Sequence, residues 1–543
     1  MSAGMPARVR RYRQILIVLA RHGFGLLVAG VLPRRFPVVG SHAHRQATAS
    51  PVHLRAALEE LGTTFIKIGQ ILSTRADVLP AAYARELERL QDHVPAAPLA
   101  AIRGVVEAEL GAPLSQIFSD FDPTPIASAS IGQVHRARLA DGRPVVVKVQ
   151  KPGVAEQVEV DLAILHGLAQ TAAARGFPGP FLDLPALVDE FTWTLRGELD
   201  YEREARNAAA MARNFAGHPV LHVPQVLTEW TTHRLLVMEE VRGIRIDDKV
   251  GLRAAGIDAR TLAHRSAHIL LRSVFEDGLY HADPHPGNFL VGRDGSLTAL
   301  DFGMVGRLDT ATRDSLLRLV LSIVQREPTA VLEALEALGV RSASGERRPV
   351  IREVAHLLDA FADAPLGDIA LAPLITEMFS LVRRFQLQLP ADLALLLKTL
   401  AMNEGVGRQL DPSFVATEEA ATYLRDLAFR RLTSRRWLER SARDLGAAAA
   451  SALHLPSRIE RALNTFEEQA ARRQADWQDV GRTMARASRR LALAVLAAGA
   501  AVCGTVLVAV GTGAAGRGWL EGSGLVALGG AVTFAALSLG RRG

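Results

Sequence analysis

His281-Ala-Asp283-Pro284-His285-Pro286-Gly287-Asn288, followed by Leu300-Asp301-Phe302-Gly303, decides how the rest of the chain is read. Asp283 and Asn288 are five residues apart, and Asp301 comes 18 after Asp283. Phosphoryl transfer needs a carboxylate beside the attacking oxygen and oxygen ligands that hold Mg²⁺ against phosphates. A D-x-x-x-x-N loop followed by D-F-G supplies both, whereas D-F-G alone is a weak signal. His281 and His285 also have the spacing of a metal pair on a helix. Pro284 and Pro286 rule out a regular helix there, so that reading fails. His281 is instead expected to prop the loop.

Working upstream, Val145-Val-Val-Lys148 is an apolar strand ending in a lysine, as expected of the strand lysine that pairs with nucleotide phosphates. The residue type matters in this chain. Of its 63 basic residues only five are lysines: Lys67, Lys148, Lys151, Lys249 and Lys398. A chain that uses arginine for a generic positive charge keeps lysine where lysine geometry and hydration are needed. The partner of Lys148 is expected to be a glutamate on a nearby helix, and Glu198-Leu-Asp200-Tyr-Glu202-Arg-Glu204 offers several. A phosphate-covering loop should precede the strands. Where a protein kinase carries G-x-G-x-x-G, this chain has Ala127-Ser-Ala129-Ser130-Ile-Gly132-Gln133-Val134. Alanine does not adopt positive φ cheaply, so this loop is not expected to wrap phosphates as a glycine-rich one does. Further upstream, Leu54, Leu58, Leu61, Phe65, Ile68 and Leu72 are spaced 4, 3, 4, 3, 4. That is the stripe of an amphipathic helix, with Lys67 and Gln70 on the opposite side.

Together these residues resemble the UbiB/AarF family of atypical protein-kinase-like ATPases, also called the coenzyme Q kinase-like family. Lys67-Ile-Gly69-Gln70 is similar to its K-x-G-Q motif, Ala127–Val134 to its Ala-rich loop, and Glu198-Leu-Asp200 to its E-x-D motif. The resemblance runs from about Leu54 to Phe302; Ser128 is a mild departure, because many members have alanine there. It implies an α+β, bilobal protein-kinase-like fold that uses ATP and Mg²⁺. It implies that Asp283 occupies the catalytic-Asp position and that Lys148 contacts the phosphates, with Glu204 as its ion-pair partner. Asn288 and Asp301 become the metal ligands. Ala127, Ala129, Ser130 and Gln133 fall in the nucleotide-covering loop. Lys67 and Gln70 resemble residues that fold over the active site, where peptide would lie in an ordinary kinase, and contact Glu198 and Asp200. The apolar stripe then packs on the small lobe and its polar side enters the cleft.

The implied plan has a basic amphipathic N-terminal arm over 1–50 and a helical extension carrying K-x-G-Q over 51–120. A small lobe over 121–245, a large lobe over 246–410, a helical tail over 411–488 and a two-helix transmembrane hairpin over 489–543 follow. Val134–Leu139 and Val145–Val149 read as strands joined by a turn at Asp141-Gly142, and Phe289–Val291 and Thr298–Leu300 as shorter strands. The hairpin rests on residues 491–510 and 522–540, runs of 20 and 19 residues without a charge. At about 1.5 Å per residue each can cross a hydrocarbon core of roughly 30 Å. Arg482, Arg486, Arg489 and Arg490 before the runs, and Arg541 and Arg542 after them, put both ends in the cytoplasm. These runs carry much of the excess behind the mean hydropathy of +0.13. Nine arginines and no acidic residue precede Glu59, which exceeds the net charge of +6. The remaining chain is slightly acidic, so no nucleic-acid partner is expected. A single cysteine, Cys503, excludes a disulfide framework and a cysteine-only metal site.

The expected protein is therefore an atypical kinase/ATPase anchored in the bacterial cytoplasmic membrane, with its kinase-like domain in the cytoplasm. The resemblance implies support of ubiquinone-type biosynthesis, with membrane lipids, isoprenoid-quinone precursors or a quinone-biosynthesis complex as partners. Two other classes compete. H-x-D-x-H-P-G-N also resembles small-molecule kinases of the aminoglycoside phosphotransferase type, but those lack a K-x-G-Q helix and a membrane hairpin. A nucleotide-gated, non-catalytic scaffold would keep the fold without turnover. The presence of Lys148, Glu204, Asp283, Asn288 and Asp301 together argues against a dead site.

Overall fold

The computed structural model describes residues 4–24, 50–73, 79–90, 95–176, 183–342, 346–360, 371–385 and 387–432. Helix α1 (Gly4–Leu19) buries Ile15 and Val18 in a cluster shared with α2 (Pro51–Leu61). Its Arg11 pairs with Asp161 at 2.8 Å and donates to the Leu61 carbonyl at 2.7 Å. The described part of the N-terminal arm therefore lies on the protein body. Helix α2 begins where Ser50 Oγ accepts from the His53 N–H at 3.3 Å and Pro51 opens the first turn. It ends at Gly62, whose φ of 89° is costly for any residue with a side chain. Helix α3 (Thr63–Ser73) starts directly afterwards. The Leu54–Leu72 stripe is thus carried by two helices instead of the single one expected. Its residues pack on helices. Leu58, Leu61 and Phe65 join Ile15, Leu87 and Ile164, and Ile68 joins Val158 and Leu195.

Short helices α4 (Ala81–Leu87), α5 (Leu99–Leu110) and α6 (Leu114–Ile117) lead into the small lobe. There β1 (Phe118–Phe121), β2 (Ala127–Ser128), β3 (Gly132–Leu139) and β4 (Pro144–Gln150) form antiparallel pairs. The β3–β4 turn carries Gly142 at a φ of 89°, which is the hairpin the Asp141-Gly142 pair predicts. Side chains alternate along β4. Val145, Val147 and Val149 face Ile102 and Val106 of α5, while Val146 packs on the other side with Tyr201 and Met238. Lys148 shares that second side. Helices α7 (Val154–Ala174), α8 (Leu184–Glu198) and α9 (Tyr201–Asn214) follow, with α7 and α8 packed through Val158, Leu162, Phe191 and Leu195. After β5 (Leu221–His222), β6 (Leu235–Glu239) completes the small-lobe sheet in the order β1-β3-β4-β6, with β2 on β3.

The large lobe starts with β7 (Ile244–Arg245), α10 (Lys249–Ala254) and α11 (Ala259–Arg272). Strands β8 (Leu279–His281), β9 (Phe289–Val291), β10 (Leu297–Ala299) and β11 (Val305–Arg307) are short, as expected of segments that present loops. The sheet order is β5-β10-β9-β7, with β8 and β11 paired separately. Helices α12 (Thr310–Val324), α13 (Pro328–Ala337), α14 (Arg347–Ala360), α15 (Leu371–Arg384), α16 (Ala391–Leu410) and α17 (Ala416–Leu432) follow. Helix α16 packs on α11, and its Val406 and Leu410 join the core that holds Leu262, Ala263 and Phe302.

The chain up to Leu424 forms one compact unit, and Arg425 begins a second. Among the described residues no helix is long and apolar enough to cross a membrane. The two charge-free runs, 491–510 and 522–540, lie outside the described residues, as do residues 25–49 of the arm and the tail beyond 432.

Candidate active site

Three segments meet at Lys148. Its Nζ donates to both Glu204 carboxylate oxygens at 2.8 Å and to Asp301 Oδ2 at 3.1 Å. Glu204 is buried in the first turn of α9, whereas Asp301 opens onto the cleft. Burial works against the Lys148 charge, but Asp301 and Glu204 hold its pKa well above the ordinary lysine value. Burial pushes the Glu204 pKa up, and Lys148 restrains it. Desolvation would raise Asp301 too. There the Lys148 charge and the Gly303 N–H, 2.8 Å from Oδ1, prevail and pull its pKa well below the usual carboxylate range. One ammonium thus joins the small-lobe sheet, α9 and the D-F-G segment.

The register of β9 and β10 pairs Phe289 with Ala299, and the Leu300 N–H donates to the Asn288 carbonyl at 2.9 Å. Asn288 and Asp301 therefore emerge at the same end of one two-stranded ladder. Asn288 Nδ2 donates to the Asp283 carbonyl at 3.1 Å and to Asp283 Oδ2 at 3.3 Å. A carboxylate only accepts, so the amide NH₂ faces Asp283 and Asn288 Oδ1 is left for a cation. An amide oxygen and a carboxylate are hard donors of the kind Mg²⁺ takes, together with phosphate and water oxygens. Among the described residues no group of three His, Cys, Asp or Glu side chains could hold a metal. The His281 ring packs on Phe289 and Phe302, at 5.4 and 5.9 Å between centroids, and its Nδ1 accepts the Asp283 N–H at 3.2 Å. Desolvation lowers its pKa, which favours the neutral ring that can accept. This is the propping contact expected of it. Phe302 is held by Asn207, whose Nδ2 donates to the Phe302 carbonyl at 3.0 Å.

The remaining expected site residues divide. Lys67 pairs with Glu198 at 3.0 Å, which joins α3 to the end of α8. Gln70 and Asp200 do not take part in that contact. Gln70 Nε2 donates to the Leu90 carbonyl at 3.3 Å, because that face of α3 meets the segment after α4. Asp200 caps α9, accepting from the Arg203 N–H at 3.0 Å, and pairs with Arg206 at 3.1 Å. In the Ala-rich loop, Ala127 lies on β2 and the Ala129 N–H closes the turn onto the Gly132 carbonyl at 2.9 Å. Ala127 and Ala129 are exposed, but Ser130 and Gln133 are buried. Gln133 Oε1 accepts from the Ala97 N–H at 2.8 Å, and the Ser130 carbonyl accepts from Thr63 Oγ1 at 3.3 Å. Both tie the loop to the helical extension. A Cβ on Gly132 would collide with the Tyr201 hydroxyl and the Val149 carbonyl, so the one glycine in the turn is there for packing.

Sequence reasoning gave no role to Lys151. Its Nζ donates to the Ala129 carbonyl at 2.6 Å and to the Pro95 carbonyl at 3.0 Å, clamping the loop from behind. It also gave none to Lys398, on which Asp283, Glu88 and Glu198 act electrostatically. The scarcity of lysine was the one signal that marked both.

The ABC1 atypical kinase-like domain matches residues 89–335, and the UbiB helical domain matches residues 354–415. The chain is 37% identical over 415 residues to a Probable protein kinase UbiB of Marinobacter nauticus, covering 75% of this chain and 74% of that protein. It belongs to the UbiB family of ABC1 atypical kinase-like proteins. A second relative, the uncharacterized protein sll1770 of Synechocystis, is 35% identical over 418 residues, 76% of this chain and 72% of its own. A solved structure of the Rv3197–erythromycin complex from Mycobacterium tuberculosis aligns with a TM-score of 0.46 at 28% identity, over 65% of this chain and 90% of that one. The match to the ABC1 atypical kinase-like domain over residues 89–335 accounts for the kinase-like α+β fold of the two lobes. The K-x-G-Q helix lies ahead of the kinase-like match, and Lys398 falls within the UbiB helical part.

Proposed function

We propose that this UbiB-family protein is a membrane-anchored atypical kinase or ATPase that uses Mg-ATP and supports isoprenoid-quinone biosynthesis or membrane lipid handling. The observation that carries the reading is Lys148 held between Glu204 and Asp301, with Asp283 and Asn288 hydrogen-bonded beside them. Asn288 Oδ1 and Asp301 would hold Mg²⁺, which when bound offsets the charge of the phosphate oxygens. Lys148, kept charged by its two carboxylates, contacts the nucleotide phosphates. Glu204 fixes that ammonium in place. Asp283, oriented by Asn288 and by its N–H bond to His281, receives the proton of the attacking oxygen. The Lys67–Glu198 pair brings the helical extension to the cleft side, which favours water, a small molecule or a lipid headgroup over a protein segment as acceptor. The anchoring rests on the charge-free runs 491–510 and 522–540.

The test is Asp301→Asn in the full-length protein. Removing a group that acts on transition-state charge is expected to lower Mg²⁺-dependent ATP turnover by about 100-fold or more. Turnover at the wild-type rate would overturn the reading. Lipid and quinone profiles of a deletion strain, complemented with wild type or with Asp301→Asn, test the biological half. A profile unchanged by deletion removes the quinone assignment and leaves the ATPase.

A further inference from the structure

A phosphoryl group in flight carries negative charge on its oxygens, and the protein must meet that charge with fixed cations near the attacking oxygen. The loop between Asp283 and Asn288 provides no permanent cation. It holds Pro284, His285, Pro286 and Gly287, and His285 Nδ1 accepts the Gly287 N–H at 3.1 Å. Lys148 is engaged by Glu204 and Asp301, and Lys67 by Glu198.

Helix α16 offers another. The Thr399 hydroxyl donates to the Ala282 carbonyl at 3.1 Å, so the helix is fastened to the residue immediately before Asp283. Asn403, one turn on, donates to Ser266 Oγ of α11 at 2.8 Å and sets the helix against the large lobe. Lys398 adjoins Thr399. Asp283 and Glu88 act on its ammonium, as do Lys67 and Glu198. These groups belong to the catalytic loop, the helical extension and the K-x-G-Q pair, and the Thr399–Ala282 bond sets the helix beside that loop. Burial lowers its pKa from the ordinary lysine value, and the carboxylates counter that. Glu88 answers in kind: burial raises its pKa and Lys398 restrains it. The chain has 58 arginines for a generic positive charge, yet this position is a lysine.

We infer that Lys398 is a further catalytic residue, its ammonium contacting the γ-phosphoryl group beside Asp283. The inference rests on the Mg-ATP reading above. In the step, the bond between the γ-phosphorus and the β,γ-bridging oxygen breaks and its electron pair leaves with ADP. A bond forms between that phosphorus and the acceptor oxygen, and the acceptor proton passes to the Asp283 carboxylate. Lys398 keeps its proton and offsets the charge on the transferred oxygens.

The experiment measures affinities of full-length protein for ADP and for a non-hydrolysable ATP analogue, by competition with a fluorescent nucleotide in Mg²⁺, alongside kcat. Losing a hydrogen bond to a charged group is expected to weaken the analogue about tenfold in Lys398→Met while ADP affinity is kept. The kcat should fall about 100-fold, and Lys398→Arg should recover part of both. An unchanged ratio and kcat in Lys398→Met would make Lys398 a structural partner of Glu88 and overturn the inference. If Lys398→Met does not fold, the same unchanged values in Lys398→Gln overturn it equally. Wild type that binds neither nucleotide removes the Mg-ATP reading itself, a result distinct from wild-type binding with an unchanged ratio in the variant.

Discussion

Lys148 makes three bonds with one ammonium, at 2.8, 2.8 and 3.1 Å. A guanidinium is longer and planar, and it cannot enter a buried pocket sized for a compact charge. Lys148→Arg is therefore expected to lower ATP turnover by at least about tenfold despite keeping its charge, a loss read directly from kcat/KM beside Lys148→Met. At this scale the chemistry of the loop was open to sequence reading, because Asp283, Asn288 and Asp301 are set by local spacing and a short hairpin. Glu198 was reachable through its motif, and the pairing of Lys67 with it is seen at 3.0 Å. Asp200 misled. An aspartate directly before a helix is an N-cap first, and its oxygen is taken by the Arg203 N–H. Gln133 misled for a different reason: it sits at an inward position of β3, where strand alternation sends it to Ala97 and away from the cleft.

The elements themselves were legible wherever periodicity or turn chemistry was strong. The β3–β4 hairpin and the β9–β10 pair match their expected segments to within two residues at each end. The helix expected from the Leu54 stripe was wrong in one respect. Its spacing carries on across Gly62, and only the backbone at a φ of 89° reveals the break. Helix α16 was invisible as a site element. Nothing local in its sequence says that it is fastened to Ala282; tertiary packing brings it there. The element-scale prediction concerns α9, whose first turn carries Glu204. Asp200→Ala removes the cap and is expected to cost about 1 kcal/mol of stability, while Asp200→Asn keeps most of it. Denaturant unfolding of both variants separates a capping role from a nucleotide-binding one, since loss of binding without loss of stability would speak for the latter.

At the scale of the whole molecule, an ion pair with a fully buried end joins the N-terminal arm to the kinase-like body. Asp161 is 0% exposed and is met by Arg11 at 2.8 Å and by Gln157 Nε2 at 3.1 Å. Arg11→Met strands that carboxylate, which is expected to destabilise the protein by about 3 kcal/mol and to expose α1 to protease. Adding Asp161→Leu should restore most of the loss, and the double variant compared with the single ones by thermal unfolding checks the coupling. Lys67 pairs with Glu198, Lys148 pairs with Glu204 and Asp301, and Asp283, Glu88 and Glu198 act on Lys398, so each of these three ammoniums is set against at least one carboxylate. On the Mg-ATP reading proposed above, a nucleotide that arrives without its metal would meet those carboxylates unscreened. On that reading the carboxylates set against these lysines would favour nucleotide that arrives with its metal over nucleotide that arrives alone.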